Sequence, residues 1–345
     1  MLESFRGIVA VLREKQILHK LGIAVSIAII GFAFYVLYHM LQNLDPDDVL
    51  EALSQTEWRN IFLAGLCVAA GYFTLTFYDL FALRTIGHAD LPYRVAAFAG
   101  FTSYSIGHNV GASVLSGGAV RYRIYSSWGL TAIDVAKVCF LAGLTFWLGN
   151  AAVLGLGVAY HPEAASSIDM LPASLNRVAA LGILAALVGY VIWVWQKPRQ
   201  VGRGSWTVTL PDGPLTLLQI VIGIVDLGFC ALAMYILMPD EPYVGFVVVA
   251  VIFVSATLLG FASHSPGGLG VFDAAMLYGI LHFDKQFDKE ELLAGMLLFR
   301  LLYYIVPFVI SVILLTCREI IVGARARRAA VSGDKLHDAA TPEPL

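Results

Sequence analysis

Apolar residues in this chain run in long blocks. They do not alternate as in a half-buried strand, nor form the single stripe of a surface helix. Six blocks, 21–41, 61–83, 131–158, 175–196, 215–238 and 292–317, carry few charges. Each reaches the ~20 residues that a helix needs to cross a bilayer. Two further apolar regions, 92–118 and 244–283, are interrupted by Gly, Ser and Pro. Irregular backbone at membrane depth is tolerated only where protein or a water-filled cavity covers it. Each interrupted region is therefore expected to be a helical hairpin that borders a cavity. The pattern predicts an all-α polytopic membrane protein. Block 21–41 follows a charged stretch and has no small-residue cleavage site, so it reads as a retained span rather than a signal peptide.

Composition agrees. Of 345 residues, 14% are charged and 59% hydrophobic, against ~25% charged in soluble domains. This excludes a soluble enzyme, a disordered chain and a disulfide scaffold. The net charge of −3 gives no basic excess for nucleic acid. The cysteines Cys67, Cys139, Cys230 and Cys317 are far apart in apolar stretches, without a CxxC pair, so no metal site or other cofactor is expected. No P-loop, GxSxG or HExxH motif occurs, leaving ATP-driven and hydrolytic readings without support.

The position of charge sets the orientation. If both interrupted regions return to the side they entered from, segments 1–20, 84–94, 116–130, 197–214 and 318–345 share one side and hold 16 Lys and Arg. The opposite segments, 42–60, 159–177, 239–243 and 283–291, hold 4. The positive-inside rule then places both termini in the cytoplasm, with 318–345 as a short basic tail on a single membrane domain, 1–317. Arg121 and Arg123 decide the matter: a full crossing by 92–118 would place them outside.

A repeat is also visible. Gly100-Phe101-Thr102-Ser103-Tyr104-Ser105 recurs as Gly260-Phe261-Ala262-Ser263-His264-Ser265, 160 positions later. The same offset carries 131–158 onto the last block. The chain reads as two halves, about 15–160 and 170–317, each with three full spans and one re-entrant hairpin. Three crossings per half give the second half inverted polarity, the logic of many transporters.

Candidate chemistry concentrates in these hairpins. Gly117-Gly118 precede Arg121 and Arg123, and Pro266-Gly267-Gly268 with Gly270 precede Asp273. Glycines before a helix expose amides that favour an anion such as phosphate, with Arg121 and Arg123 adding charge. The competing reading is that they only permit turns and close packing. Asp226, at the middle of its block, is expensive in lipid and needs a function or a partner, for which Arg300 is the obvious choice. His108, Asn109 and His264 lie on the interrupted regions. Asp79 and Arg84 read as snorkelling or locally paired, and Asp134 with Lys137 as an i,i+3 pair.

These residues carry a family resemblance. Tyr78-Asp79-Leu80, Gly107-His108-Asn109, the run from Leu115 through Ser116-Gly117-Gly118-Ala119-Val120-Arg121-Tyr122-Arg123, His264-Ser265-Pro266-Gly267-Gly268-Leu269-Gly270-Val271-Phe272 and Arg300-Leu301-Leu302-Tyr303-Tyr304-Ile305-Val306-Pro307 resemble the membrane flippase domain of the bacterial lysylphosphatidylglycerol synthetase/flippase family. The resemblance covers roughly 15–317. The family usually has Glu where Asp273 stands. Bifunctional members carry an aminoacyltransferase domain after the membrane part, whereas this chain extends 28 residues beyond 317. The resemblance implies an inner-membrane flippase-like translocator of aminoacyl-phosphatidylglycerol or a related phospholipid, without synthetic activity. Its expected partners are membrane phospholipids, a separately encoded lipid synthase or a second copy of the chain. An ion-coupled small-solute transporter, or a membrane partner of a lipid-modifying enzyme, are the alternatives.

Overall fold

A computed structural model of the chain describes residues 56–111, 113–204 and 206–338, with side chains to 324, and isolated residues 47, 50, 51 and 54 before them. The expected first span, 21–41, and the N-terminal basic segment lie outside the described residues. In order, the elements are α1 (Trp58–Thr85), α2 (Tyr93–Val110), α3 (Ser113–Tyr125), α4 (Ala132–Tyr160), α5 (Pro162–Asp169) and α6 (Ala173–Gln196). They continue with β1 (Gln200–Arg203), β2 (Trp206–Thr209), α7 (Gly213–Leu237), α8 (Phe246–Ala262), α9 (Val271–Phe283), α10 (Lys289–Phe299), a π-helical turn (Arg300–Ile305) and α11 (Val306–Asp338). Among the described residues, five helices are long and apolar enough to span a membrane: α1, α4, α6, α7 and the combined run Lys289–Ala324. They match five of the six expected blocks.

Local chemistry fixes their ends. Thr131 caps α4: its hydroxyl accepts from the Asp134 amide, and the Asp134 carboxylate accepts from the Thr131 amide and hydroxyl. Asp134 thus serves in the cap of α4, a role its spacing from Lys137 did not reveal. Asp212 caps α7 through the Leu215 amide, with Pro214 in the first turn, and Asp288 caps α10 through the Glu291 amide.

Both interrupted regions form helical hairpins. Gly111, at φ +79°, ends α2 before α3 folds back against it. In the second, His264, Gly267, Gly268 and Gly270 all have positive φ, which no helix accommodates. Pro266 disfavours helical backbone at Ser265 as well. Span, helix, break, helix, span thus occurs twice. The helices before the breaks start at Tyr93 and Phe246, 153 positions apart, and those after at Ser113 and Val271, 158 apart. The hexapeptide offset of 160 is not this register: Gly100 lies mid-α2, whereas Gly260 lies at the end of α8.

One departure from an all-helical chain is the antiparallel hairpin β1–β2, with Gln200 opposite Thr209 and Arg203 opposite Trp206. The alternation Trp206-Thr207-Val208-Thr209 buries Val208. A stretch this short, outside the spans, gives too few alternations to be read from sequence.

A continuous apolar core runs from Ile61 to Leu315, with a smaller cluster of Leu148, Ala152 and Ile220 beside it. Next to that cluster α4 and α7 cross through Gly149 and Gly223, where a methyl on either would fall 2.6–2.7 Å from the other's Cα. Lipid gives helices no hydrophobic drive to associate, so small residues that let backbones approach are the usual means. The hairpins meet tip to tip: Gly111 packs on the His264 carbonyl and on Pro266. At the open end of the first hairpin, Arg123 pairs with Glu319, and Arg318 donates to the Ser127 hydroxyl at 2.7 Å. At the open end of the second, α9 packs on α5 through Gly279 and Ile168, and α10 packs on the end of α7 through Gly295 and the Leu237 carbonyl.

Candidate functional site

A cavity of about 620 Å³ lies where the hairpin tips meet, bordered by α1, α2, α3, α4, α7, α8 and the π-turn. Its polar lining includes Ser103, Tyr104, His108, Arg121, Asp226 and His264, beside the backbone of Gly267 and Gly268. Val114 and Leu115, each 77% exposed, stand at its edge with Trp147. The Ser103 hydroxyl, in the cavity wall, is buried without a hydrogen-bond partner.

Arg121 is the cation of this cavity, but it is already engaged. Nε donates to both oxygens of Asp79 at 3.0–3.1 Å and Nη2 donates to Oδ1 at 2.7 Å. Asp79 is fully buried and also accepts from the Tyr125 hydroxyl at 2.7 Å. The guanidinium lies 5.0 Å over the Tyr104 ring. The sequence reading of Asp79 as a snorkelling or locally paired residue is therefore corrected: its partner is 42 positions away and ties α3 to α1. Two opposite charges in the interior of one half were the available signal, since each is costly unless paired.

Asp226 does not meet Arg300. It accepts from the Tyr78 hydroxyl at 2.9 Å and the Thr74 hydroxyl at 3.3 Å, and has no cation partner among the described residues. It is 4% exposed. An ion held away from water costs several kcal/mol; the Tyr78 donor returns roughly 1.5–3 kcal/mol, while the single Thr74 proton is shared with the Gly71 carbonyl at 2.6 Å.

Arg300 instead donates to both oxygens of Asp273, at 2.6 and 2.7 Å, and to the Gly267 carbonyl at 3.1 Å. The other duty of Asp273 is to accept from the Gly270 amide at 3.0 Å, so the carboxylate caps α9. The amide end that the sequence offered to an anion is thus partly occupied by the chain's own carboxylate.

Gly117 and Gly118 lie inside α3, not ahead of a helix. A methyl at Gly117 would come 3.0 Å from the Ser103 carbonyl, so close packing of α2 on α3 accounts for it. Arg123 points away from the cavity to Glu319. His108 lines the cavity between the rings of Tyr104 and Phe261. Asn109 is buried and donates to the carbonyls of Ser105 and Tyr304. His264 is exposed at the second tip, its ring against the Ala262 carbonyl. The structure thus gathers His108, Arg121, Asp226, His264, Gly267 and Gly268 around one cavity, with Pro266, Gly270, Asp273 and Arg300 behind the second tip. Arg123 and the Gly117-Gly118 pair are left out of it.

The π-turn is a feature the sequence reading missed. Pro307 has no amide for the carbonyl four residues before it, Tyr303. That carbonyl accepts from the Tyr72 hydroxyl at 3.0 Å, and Asn109 takes the next one at 3.2 Å. Neighbouring side chains thus re-satisfy the broken helix, as membrane interiors require.

With this geometry in hand, comparisons with known proteins are informative. The model of the lysylphosphatidylglycerol synthase transmembrane region matches residues 21–311. An uncharacterised protein of Synechocystis sp. is 30% identical over 74% of this chain and 79% of its own length. The inner membrane protein YbhN of Escherichia coli K12 is 27% identical over 79% of this chain and 84% of its own. The phosphatidylglycerol lysyltransferase of Staphylococcus aureus is 23% identical over 87% of this chain, but the match covers 34% of that enzyme. The chain is a membrane protein and belongs to the family of the lysylphosphatidylglycerol synthase transmembrane region.

Proposed function

We propose that the protein is an inner-membrane phospholipid translocator of flippase type, with aminoacyl-phosphatidylglycerol or a related lipid as cargo. The observation that carries this reading is the cavity itself. It sits where two hairpin tips meet among membrane-spanning helices, and combines a carboxylate without a cation, a free hydroxyl and an apolar edge. A headgroup inside, with its acyl chains leaving past Val114 and Leu115 into the bilayer, satisfies both surfaces. Asp226 faces the cationic part of such a headgroup, and His108, His264 and Ser103 the phosphate and hydroxyls.

An inverted repeat supports alternating access. The base of the first hairpin lies beside Arg318 and Glu319 of α11, and the base of the second beside Ile168 of α5. These are opposite ends of the bundle in the expected topology, with the basic end cytoplasmic. The chain's share of the lysyltransferase is its membrane part, so translocation rather than synthesis is the activity proposed.

The test is reconstitution in liposomes with acyl-labelled lysyl-phosphatidylglycerol and phosphatidylglycerol, following transfer between leaflets. Transfer above that of protein-free liposomes is expected. Equal rates in both, across a range of lipids, would sink the proposal. A second reading, an ion-coupled small-solute transporter, is favoured by the uncompensated Asp226; gradient-dependent solute uptake without lipid movement would select it.

A further inference from the structure

Asp226 is the one carboxylate lining the cavity that no cation meets among the described residues. Asp79 and Asp273 are each neutralised by a buried arginine. Asp226 is held by neutral donors, the Tyr78 and Thr74 hydroxyls and the Cys230 thiol, at the middle of a span and at the cavity wall. Tyr78 and Thr74 fix the carboxyl group in place without supplying charge. An ionised group so placed lacks compensation whenever the cavity is empty, and the smallest compensation is a proton.

We infer that Asp226 is the proton-exchange site of the cavity, protonated when the cavity is empty of cations and deprotonated when a cationic headgroup enters. In that exchange the carboxyl O–H bond breaks and the proton passes to cavity water. The carboxylate then pairs with the ammonium of the headgroup. Proton and cation compete for one carboxylate, so each lowers the other's affinity by the same factor. A proton gradient across the membrane then drives the lipid in exchange for protons. What the proton drives rests on the translocator reading; the proton site itself does not.

The surroundings keep this titration specific. From α1, Tyr72 and Tyr78 face Asp226 while Asp79 is consumed by Arg121; from α2, Tyr104 and His108 share the cavity; and Arg121 comes from α3. Cys139 of α4 and Cys230 of α7 line the same space, the latter with its sulfur 4.0 Å from Asp226 Oδ1. Tyr303 and Tyr304 come from the π-turn. The sequence of α8 holds no titratable residue, Tyr190 of α6 packs near Ile220, and the acids of α10, Glu290 and Glu291, sit exposed at its start. The route outward is the cavity itself, which Asp226 lines together with Tyr104, His108 and Arg121.

Two measurements test this. First, wild-type and Asp226→Asn proteins are titrated by infrared difference spectroscopy. Asn keeps the size of Asp and one of its two acceptor oxygens, and it cannot ionise. A protonated-carboxyl band that disappears as the pH is raised in wild type and is missing in Asp226→Asn is expected. A wild-type spectrum without such a band overturns the inference whether or not lipid moves. Second, proteoliposomes loaded with acyl-labelled lysyl-phosphatidylglycerol are given a pH gradient with the membrane potential clamped by potassium and valinomycin. The wild-type rate should change severalfold with the gradient, and that of Asp226→Asn should not. Lipid transfer that ignores the gradient, that follows it equally in Asp226→Asn, or that requires sodium at constant pH overturns the inference and leaves the translocator reading standing. Absence of any lipid transfer overturns that reading instead, and the infrared titration then decides the proton site alone.

Discussion

Replacing Arg121 by Ala isolates the tie between α1 and the first hairpin. In the wild type, three hydrogen bonds join Arg121 to a carboxylate with no exposed surface. Truncation leaves Asp79 with the Tyr125 hydroxyl alone. Breaking a buried pair from one side costs about 3–5 kcal/mol, because the remaining ion is stranded. Asp79→Leu should cost a similar amount by stranding the guanidinium. The double variant Asp79→Leu, Arg121→Ala removes both ions, so neither charge is left stranded and both penalties for an unpaired ion are avoided. The loss in the double variant should therefore be smaller than the sum of the two losses by about 3 kcal/mol or more. Unfolding measured by steric trapping in bicelles gives all three values. If Arg121→Ala costs less than about 1 kcal/mol, or if the two losses add within about 0.5 kcal/mol, the buried tie is not what holds the hairpin.

Three further outcomes follow from particular contacts. Gly149→Ala should lose about 1–3 kcal/mol by overpacking the α4–α7 crossing, whereas Gly228→Ala, whose new methyl meets nothing within 4 Å, should be neutral within about 0.5 kcal/mol; the same unfolding assay separates them. Arg300→Lys gives up the planar fork that reaches both Asp273 and the Gly267 carbonyl, so it should lose about 1–3 kcal/mol and raise amide hydrogen exchange over 263–270, read by mass spectrometry. In a background with Cys317 replaced by Ser, Ser127→Cys should be labelled by a membrane-impermeant maleimide only from the cytoplasmic face and Gln286→Cys only from the opposite face; labelling of both from one side would refute the inverted arrangement of the hairpins.

The spans and hairpins were legible because lipid imposes a simple rule: a block is either long and apolar or it is broken, and Gly, Ser and Pro mark the breaks. Ser265-Pro266-Gly267-Gly268 shows this, since four residues between 264 and 270 adopt backbone that only a break permits. Gly117-Gly118 shows its limit. A glycine pair reads the same whether it opens a helix or lets one helix press on another, and the Ser103 carbonyl that decides between them lies 14 positions away. Pairing among charges was the least legible. Asp226, Asp273 and Arg300 are all intramembrane, and their spacing does not tell which carboxylate the arginine reaches. The π-turn does, by placing Arg300 beside Gly267 and Asp273. The tyrosines that hold Asp79 and Asp226 were missed because a tyrosine in an apolar block reads as bulk, and only its hydroxyl's partner reveals it as a donor.

If lipid passes through the cavity as proposed, a plug at the cavity mouth stops it. Leu115 stands exposed at the cavity edge. In a variant whose other cysteines are replaced, Leu115→Cys protein is reconstituted with acyl-labelled lysyl-phosphatidylglycerol, and transfer between leaflets is followed before and after reaction with a bulky maleimide. Transfer before reaction and a fall to the protein-free rate after it are expected. Transfer that continues unchanged with the mouth fully modified would contradict passage through the cavity.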